Sequence, residues 1–321
     1  MIQIINDTIR INGRVYGSQF SLDDRELLQD IFSNYYTNQR VIIKATDGEN
    51  LTLLGVVDFF IHLCDAYNIP YDKIYFETQS NIIDSRFNTS KRQLSMFWNT
   101  NHYDTSATFL PENNAAFVGC TIGRFSTARL RMLYELEKAF TNDTYLIHHF
   151  DINQVINFYK NTDNLYESEI NWLKTHTFNI DLTLKSNNVT GMNGWENSIK
   201  HYGAIAPNFY IEVVPETHAY NSWWFTEKLG KCLFTGKPFL LAAGQHSLQR
   251  IRDMGFKTFN SIIDESYDNE STPALRTRSI INSLQALYTS PNKQALINEM
   301  YTIGQHNKSN FKSLMKKQYN A

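Results

Sequence analysis

Residues 209–244 read FYIEVVPETHAYNSWWFTEKLGKCLFTGKPFLLAAG. Phe209–Pro215 is a nearly continuous apolar run closed by a proline, and Pro238–Ala243 is a second one, directly followed by Gly244. Strands covered on both faces carry such runs, whereas half-exposed strands alternate. Between them, after a polar loop, Thr226–Phe234 has helical spacing, with Thr226 in the N-cap region. Two parallel strands need a crossover of this kind, and it is right-handed.

The same logic recurs upstream. Val41–Lys44 is a β-branched run ending at Asp47-Gly48. Leu51, Leu54, Val57, Phe60 and Ile61 then recur at helical spacing until Asn68-Ile69-Pro70, and Lys73–Thr78 is a further strand. After the loop 110–114, Ala115–Cys120 is a strand, Leu130, Leu133, Tyr134 and Leu136 mark a helix, and Tyr145–Phe150 is the next strand. Tyr166–Thr175 is a weaker helix, Ser247–Met254 another, and residues from Ala274 onward are helical. The alternation predicts an α/β protein with parallel sheets. A break near 110–114 gives the expected domains: 1–112, an acceptor-side α/β domain; 113–300, a nucleotide-binding α/β domain; and 301–321, a C-terminal helix or tail. Two open Rossmann-like sheets then face a cleft, with chemistry in the loops beyond the carboxyl ends of the strands.

Composition narrows the function. The 321 residues are 42% hydrophobic, enough for a packed core. Thirty Lys+Arg against 32 Asp+Glu argue against a nucleic-acid partner held by a basic surface. Cys64, Cys120 and Cys232 are odd in number and widely spaced, which fits neither a disulfide framework nor a structural zinc site. Together with a start broken by Arg10 and Arg14, and with no spanning helix, this leads to the expectation of a cytoplasmic protein.

Arg129 opens its helix after the third strand, with Arg124 and Arg131 nearby. Guanidinium forks beside a helix N-terminus suit a phosphate or diphosphate, though a solvated basic face has the same spacing. Glu227 in a first turn complements the helix dipole, but Lys228 opposes it unless an anion is also present. Glu227 then suits sugar or ribose hydroxyls and Lys228 suits phosphate. Trp223 and Trp224 are either core or a ring-stacking wall, and Gly244 either a turn or a point of close ligand approach. Asp264, Glu265 and Asp268 either hold sugar hydroxyls or a cation, or cap the next helix. His148 and His149 are adjacent on a strand, point to opposite faces and do not share a metal. The C-terminal Lys308, Lys312, Lys316 and Lys317, with Phe311 and Leu314, make at most a weak peripheral membrane contact or a solvated helix.

Glu216, Phe225-Thr226-Glu227-Lys228-Leu229, Gly236-Lys237-Pro238 and Gly244 resemble, in order and spacing, the donor-binding signature of the α-1,3-fucosyltransferase-like glycosyltransferases of GT-B fold. FVGCTIGRFSTARLRMLYEL, residues 117–136, and MFWNTNHYDTSATFLPEN, residues 96–113, resemble upstream segments of the same family, the first with Gly119 where the family has Asn. The likeness spans about residues 96–244. It implies an inverting, metal-independent glycosyltransferase with no resident cofactor, a nucleotide sugar (a GDP-sugar first) as co-substrate, and a glycan or other hydroxyl acceptor. It places Arg129 and Lys228, assisted by Arg124, on the diphosphate, and Glu216, Thr226, Glu227 and Gly244 in the donor site. The base that accepts the acceptor proton is sought among Glu77, His102 and Asp104, while Asp47, Glu49 and Asp151 are weaker candidates. A DNA-base-modifying sugar transferase and an inactive nucleotide-binding α/β protein remain as alternatives.

Overall fold

The computed structural model describes residues 2–5, 8–13, 29–30, 32–33, 40–45, 56–78, 86–91, 110–122, 126–148, 153, 155–156, 167–176, 202–216 and 227–319. It is an α/β protein with parallel sheets, and the described residues fall into two compact units, one up to Lys91 and one from Leu110 onward. Residues 110–112 thus group with the second unit. The Glu112 N–H donates to the Pro207 carbonyl (2.8 Å), which ties this segment to the second sheet's connections.

In the first unit, β1 (Ile2–Ile5) and β2 (Thr8–Gly13) pair antiparallel. β3 (Arg40–Ala45), β4 (Ile74–Thr78) and β5 (Asn88–Lys91) then add in parallel, in the order β1-β2-β3-β4-β5. The crossover from β3 to β4 contains helix α1 (Val56–Tyr67). Val57, Phe60, Leu63 and Cys64 face inward at i, i+3, i+4 spacing, while Asp58, His62 and Asp65 are exposed. Phe60 meets Phe32 (6.3 Å) and Phe76 (5.7 Å) edge to face, the favoured geometry for aromatic rings. α1 ends at Asn68, whose φ of 53° is left-handed, followed by Pro70.

The second unit holds β6 (Ala116–Ile122), β7 (Thr144–His148), β8 (Phe209–Pro215) and β9 (Phe239–Ala242), all parallel in the order β7-β6-β8-β9. β6, β8 and β9 are buried along most of their length, as their apolar runs predict. The helices are α2 (Thr127–Ala139), α3 (Glu167–Thr175), α4 (Glu227–Thr235), α5 (Ser247–Asp253), α6 (Pro273–Tyr288) and α7 (Lys293–Tyr319). α2 packs on α6 and α4 packs on α7. Residues 301–319 are therefore no separate tail but the continuation of α7, a 27-residue helix. Phe311 and Lys308 are buried, Phe311 edge to face with Phe234 of α4, so this part of the expected membrane-facing stripe points into the protein.

Two close approaches leave no room for a side chain. A Cβ on Gly119 would lie 2.3 Å from the Phe209 ring, which explains glycine at this β6 position. A Cβ on Gly304 of α7 would lie 2.0 Å from the carbonyl oxygen of Gly236, the residue with φ 78° that closes α4.

Next to that turn lies Lys237, 1% exposed. Its ammonium donates to the carbonyls of Ala206 (2.6 Å) and Phe209 and to the Tyr301 hydroxyl (3.2 Å), and Tyr301 on α7 donates to the Tyr210 carbonyl (2.9 Å). Glu212 of β8, also buried, accepts from the Tyr202 hydroxyl and from Cys232 Sγ (3.3 Å) of α4. Burial pulls Lys237 down from 10.5 to about 7, opposed by the Glu212 carboxylate, and burial pushes Glu212 up.

Gly304→Ala is expected to destabilise the protein by about 1–3 kcal/mol in urea unfolding, because α7 must move off the Gly236 turn. Between pH 7 and 10.5 the unfolded chain holds the Lys237 proton and the folded one releases it, so this group makes stability rise with pH across that window. Lys237→Met should flatten that rise in unfolding curves measured at stepped pH.

Candidate functional site

In a sheet ordered β7-β6-β8-β9, the chain leaves β6 toward β7 on one side and leaves β8 toward β9 on the other. Right-handed crossovers then send α2 and α4 to opposite faces, and a crevice opens beyond the carboxyl ends of β6 and β8. Among the described residues of the first unit, β2 to β5 follow in sequence order and no such reversal occurs. The topology therefore directs attention to the second unit.

Arg129 stands at this reversal. Ser126 caps α2, accepting from the Arg129 N–H (3.4 Å), and the Arg129 side chain is turned inward, 2% exposed. Its Nε donates to the Pro215 carbonyl (3.1 Å), the last residue of β8, which orients the guanidinium plane. Glu216 follows, also 2% exposed, its N–H continuing the ladder to the Ala242 carbonyl (3.0 Å). From α6 comes Arg276, 1% exposed, donating to the Glu270 carbonyl. Arg129, Met132, Glu216, Ala242, Arg276 and Thr277 line one narrow crevice, whose enclosed space of about 10 Å³ is on the scale of a single water molecule. Burial lowers the Arg276 pKa, with Asp268 and Glu270 opposing, and a guanidinium stays charged through such a shift.

The acidic stretch 264–268 has a structural role. Asp264 accepts from the N–H (2.9 Å) and hydroxyl (3.0 Å) of Ser266. Glu265 accepts from Thr258 Oγ1 (2.8 Å), the Phe259 N–H (2.6 Å) and Arg252 (3.1 Å). Asp268 caps the preceding helix α5 through the Leu248 N–H (3.0 Å), while Thr272, accepting from the Leu275 N–H, caps α6. Burial pushes Asp268 up, countered by the Leu248 N–H, Arg276 and His246. These carboxylates therefore cap and brace rather than stand open for a cation, and the helix capped by Asp268 is the one before the stretch, not the one after it.

The other expected site residues divide clearly. Lys228 lies in the first turn of α4, half-buried, and it is not among the residues lining the crevice. Glu227 is the first residue of that helix. Gly244 is buried, with its carbonyl accepting from Ser247 Oγ (2.5 Å), so it serves the turn into α5. Arg131 forms an ion pair with Glu169 of α3 (2.8 Å), which removes it from the anion-binding group. Glu77 lies near the carboxyl end of β4, in register with Lys44 and Ser90. Arg124, Thr226, His102, Asp104, Asp47, Glu49, His149, Asp151, Trp223 and Trp224 lie outside the described residues. Cys64, Cys120 and Cys232 are free and buried. Among the described residues no group of three or more His, Cys, Asp and Glu side chains is placed to hold a metal ion, and no helix is long and apolar enough to cross a membrane.

Arg276 is absent from the sequence reading. Its signal is the one that singled out Lys228, a basic residue near a helix start where it opposes the dipole. Neither a protein-family model nor a curated protein sequence matches the chain.

Arg129→Leu removes the donor to the Pro215 carbonyl in a buried setting. Its expected cost is about 1–3 kcal/mol in urea unfolding, from a carbonyl left without its partner.

Proposed function

We propose that this chain is a glycosyltransferase that moves a sugar from a nucleotide-sugar donor, a GDP-sugar first, to a hydroxyl acceptor, in a two-domain arrangement of the GT-B kind. The observation that carries the reading is the buried Arg129 at the β6/β8 reversal, with Lys228 opening the helix after the neighbouring strand. The resemblance of residues 209–244 to the fucosyltransferase-like donor signature adds to it.

In a direct displacement the acceptor oxygen attacks the anomeric carbon, the bond from that carbon to the diphosphate oxygen breaks, and the acceptor proton passes to a base. Negative charge grows on the departing diphosphate. Arg129 and Lys228 neutralise it from two helix starts, where backbone N–H groups add to the same field. Glu227 accepts donor hydroxyls. Glu77, His102 and Asp104 stay the candidate bases, and the mechanism needs no metal because the cations that hold the leaving group come from side chains.

The test is a thermal-shift titration with GDP-, UDP-, ADP- and CMP-linked sugars. One of them is expected to raise the melting temperature in proportion to occupancy, since it binds the folded chain alone. Lys228→Ala should weaken that ligand about tenfold or more, the loss of one charge-assisted contact, while leaving the ligand-free melting temperature in place. No shift with any of the four sugars, or equal affinity in the variant, overturns the reading.

A further inference from the structure

Lys237 lies under the long helix. Its side chain is 1% exposed, with the Ala206 and Phe209 carbonyls and the Phe209 ring (4.4 Å) beside its nitrogen, and with the Tyr301 hydroxyl of α7 (3.2 Å) bonded to it from the other side. Tyr301 is itself half-buried, and one turn along α7 Gly304 lies against the Gly236 turn. On that side α7 is the wall between Lys237 and solvent, and lifting α7 brings water to the lysine.

The bonds around the nitrogen have two arrangements. An ammonium has three N–H donors, and three oxygens surround it, while the Tyr301 O–H is committed to the Tyr210 carbonyl (2.9 Å). An amine has two N–H donors and a lone pair. The two carbonyls then take both donors, and Tyr301 either keeps Tyr210 or turns its O–H to the lone pair. The amine form has one bond fewer but no buried charge. Burial favours it and pulls Lys237 down to about 7 in the closed fold, with Glu212 and Cys232 opposing. Of the other titratable groups facing it, Cys232 of α4, Tyr202 and Tyr301 are pushed up by burial and hold their protons around neutral pH. Glu212 of β8 is pushed up by burial and pulled back by Tyr202, Lys231 of α4, Cys232 and Lys237. His306, also on α7, meets the Gly255 carbonyl instead (3.3 Å).

We propose that Lys237 makes the docking of α7 proton-linked: α7 lifts from β8 and α4 with uptake of one proton at this lysine, and settles back as the proton leaves. With Lys237 in water its ordinary value of 10.5 returns, so above about pH 7 the lifted state holds a proton that the closed state lacks. Acid therefore loosens α7 down to that point, and below it the two states are protonated alike. The joint needs no nucleotide sugar and stands apart from the reading above.

Native-state hydrogen exchange by mass spectrometry, corrected for the intrinsic rate at each pH, reads the lifting directly. Amides of α7 are expected to open more readily than those of β8, and their opening constant to fall by about tenfold per pH unit between about pH 7.5 and 9. Lys237→Met should open with no such slope, whereas Glu212→Gln should keep it, which separates the lysine's proton from the carboxyl's. An α7 that exchanges no faster than β8 at every pH leaves only with the whole fold, and that overturns the proposal. So does a flat profile in the wild type, a slope retained in Lys237→Met, or a slope lost in Glu212→Gln. The wild type and Glu212→Gln decide the matter even where Lys237→Met does not fold.

Discussion

The second unit is built around a lysine with no access to water. The Lys237 side-chain nitrogen meets the carbonyls of Ala206 and Phe209 and the Tyr301 hydroxyl, so the entry to β8, the exit of α4 and the long helix α7 meet at one nitrogen atom. Burying a cation is costly unless its donors are used, and here each has an oxygen close by. Glu212, two strand positions along the same face from Tyr210, adds a second polar group tied to Tyr202 and Cys232. The contact of Gly304 with Gly236 brings α7 close enough for Tyr301 to join. Apolar residues alone would allow α7 to slide along this face. The directed bonds allow one register.

What that knot fixes at one end of β8 matters at the other. β8 sits beside β6 because Phe209 lies on Gly119 and the pairing runs from Ala116 opposite Phe209 to Cys120 opposite Val213. Its carboxyl end then presents the Pro215 carbonyl to Arg129 and brings Glu216 beside the first turn of α2. The crevice is narrow and mostly apolar at its surface, with Arg129, Glu216 and Arg276 among its lining residues and Asp268 acting on Arg276.

Much of the architecture was legible in the chain. The apolar runs of β6, β8 and β9 and the helical spacing of Val57 and Phe60 each act over a few residues, so local pattern reports them. Arg129 was legible for the same reason, as a cation in a first turn. Arg131, two residues on, was not separable from it. Its partner Glu169 lies 38 residues away, and no local pattern says which of two neighbouring arginines a distant carboxylate will claim. Asp268 likewise turned back to α5, twenty residues upstream, because the end of β9 delivers the Leu248 N–H to it.

By itself the sequence determined most of the element types, their order and the parallel sense of most strand pairs, because hydrophobic period and turn chemistry are short-range properties of the chain; the antiparallel β1–β2 pair breaks that parallel pattern, and the polar strand β5 was outside its reach. It also determined which residues carry charge near helix starts. Only the tertiary structure decided that β8 lies next to β6, which sets the reversal and hence the crevice. It alone decided that Arg276 shares that crevice with Arg129, and that Lys237, between a helix and a strand in the chain, is core. Each of these depends on pairings between residues far apart in the chain, whose free energy comes from burial and directed hydrogen bonds that exist only once the sheet has closed.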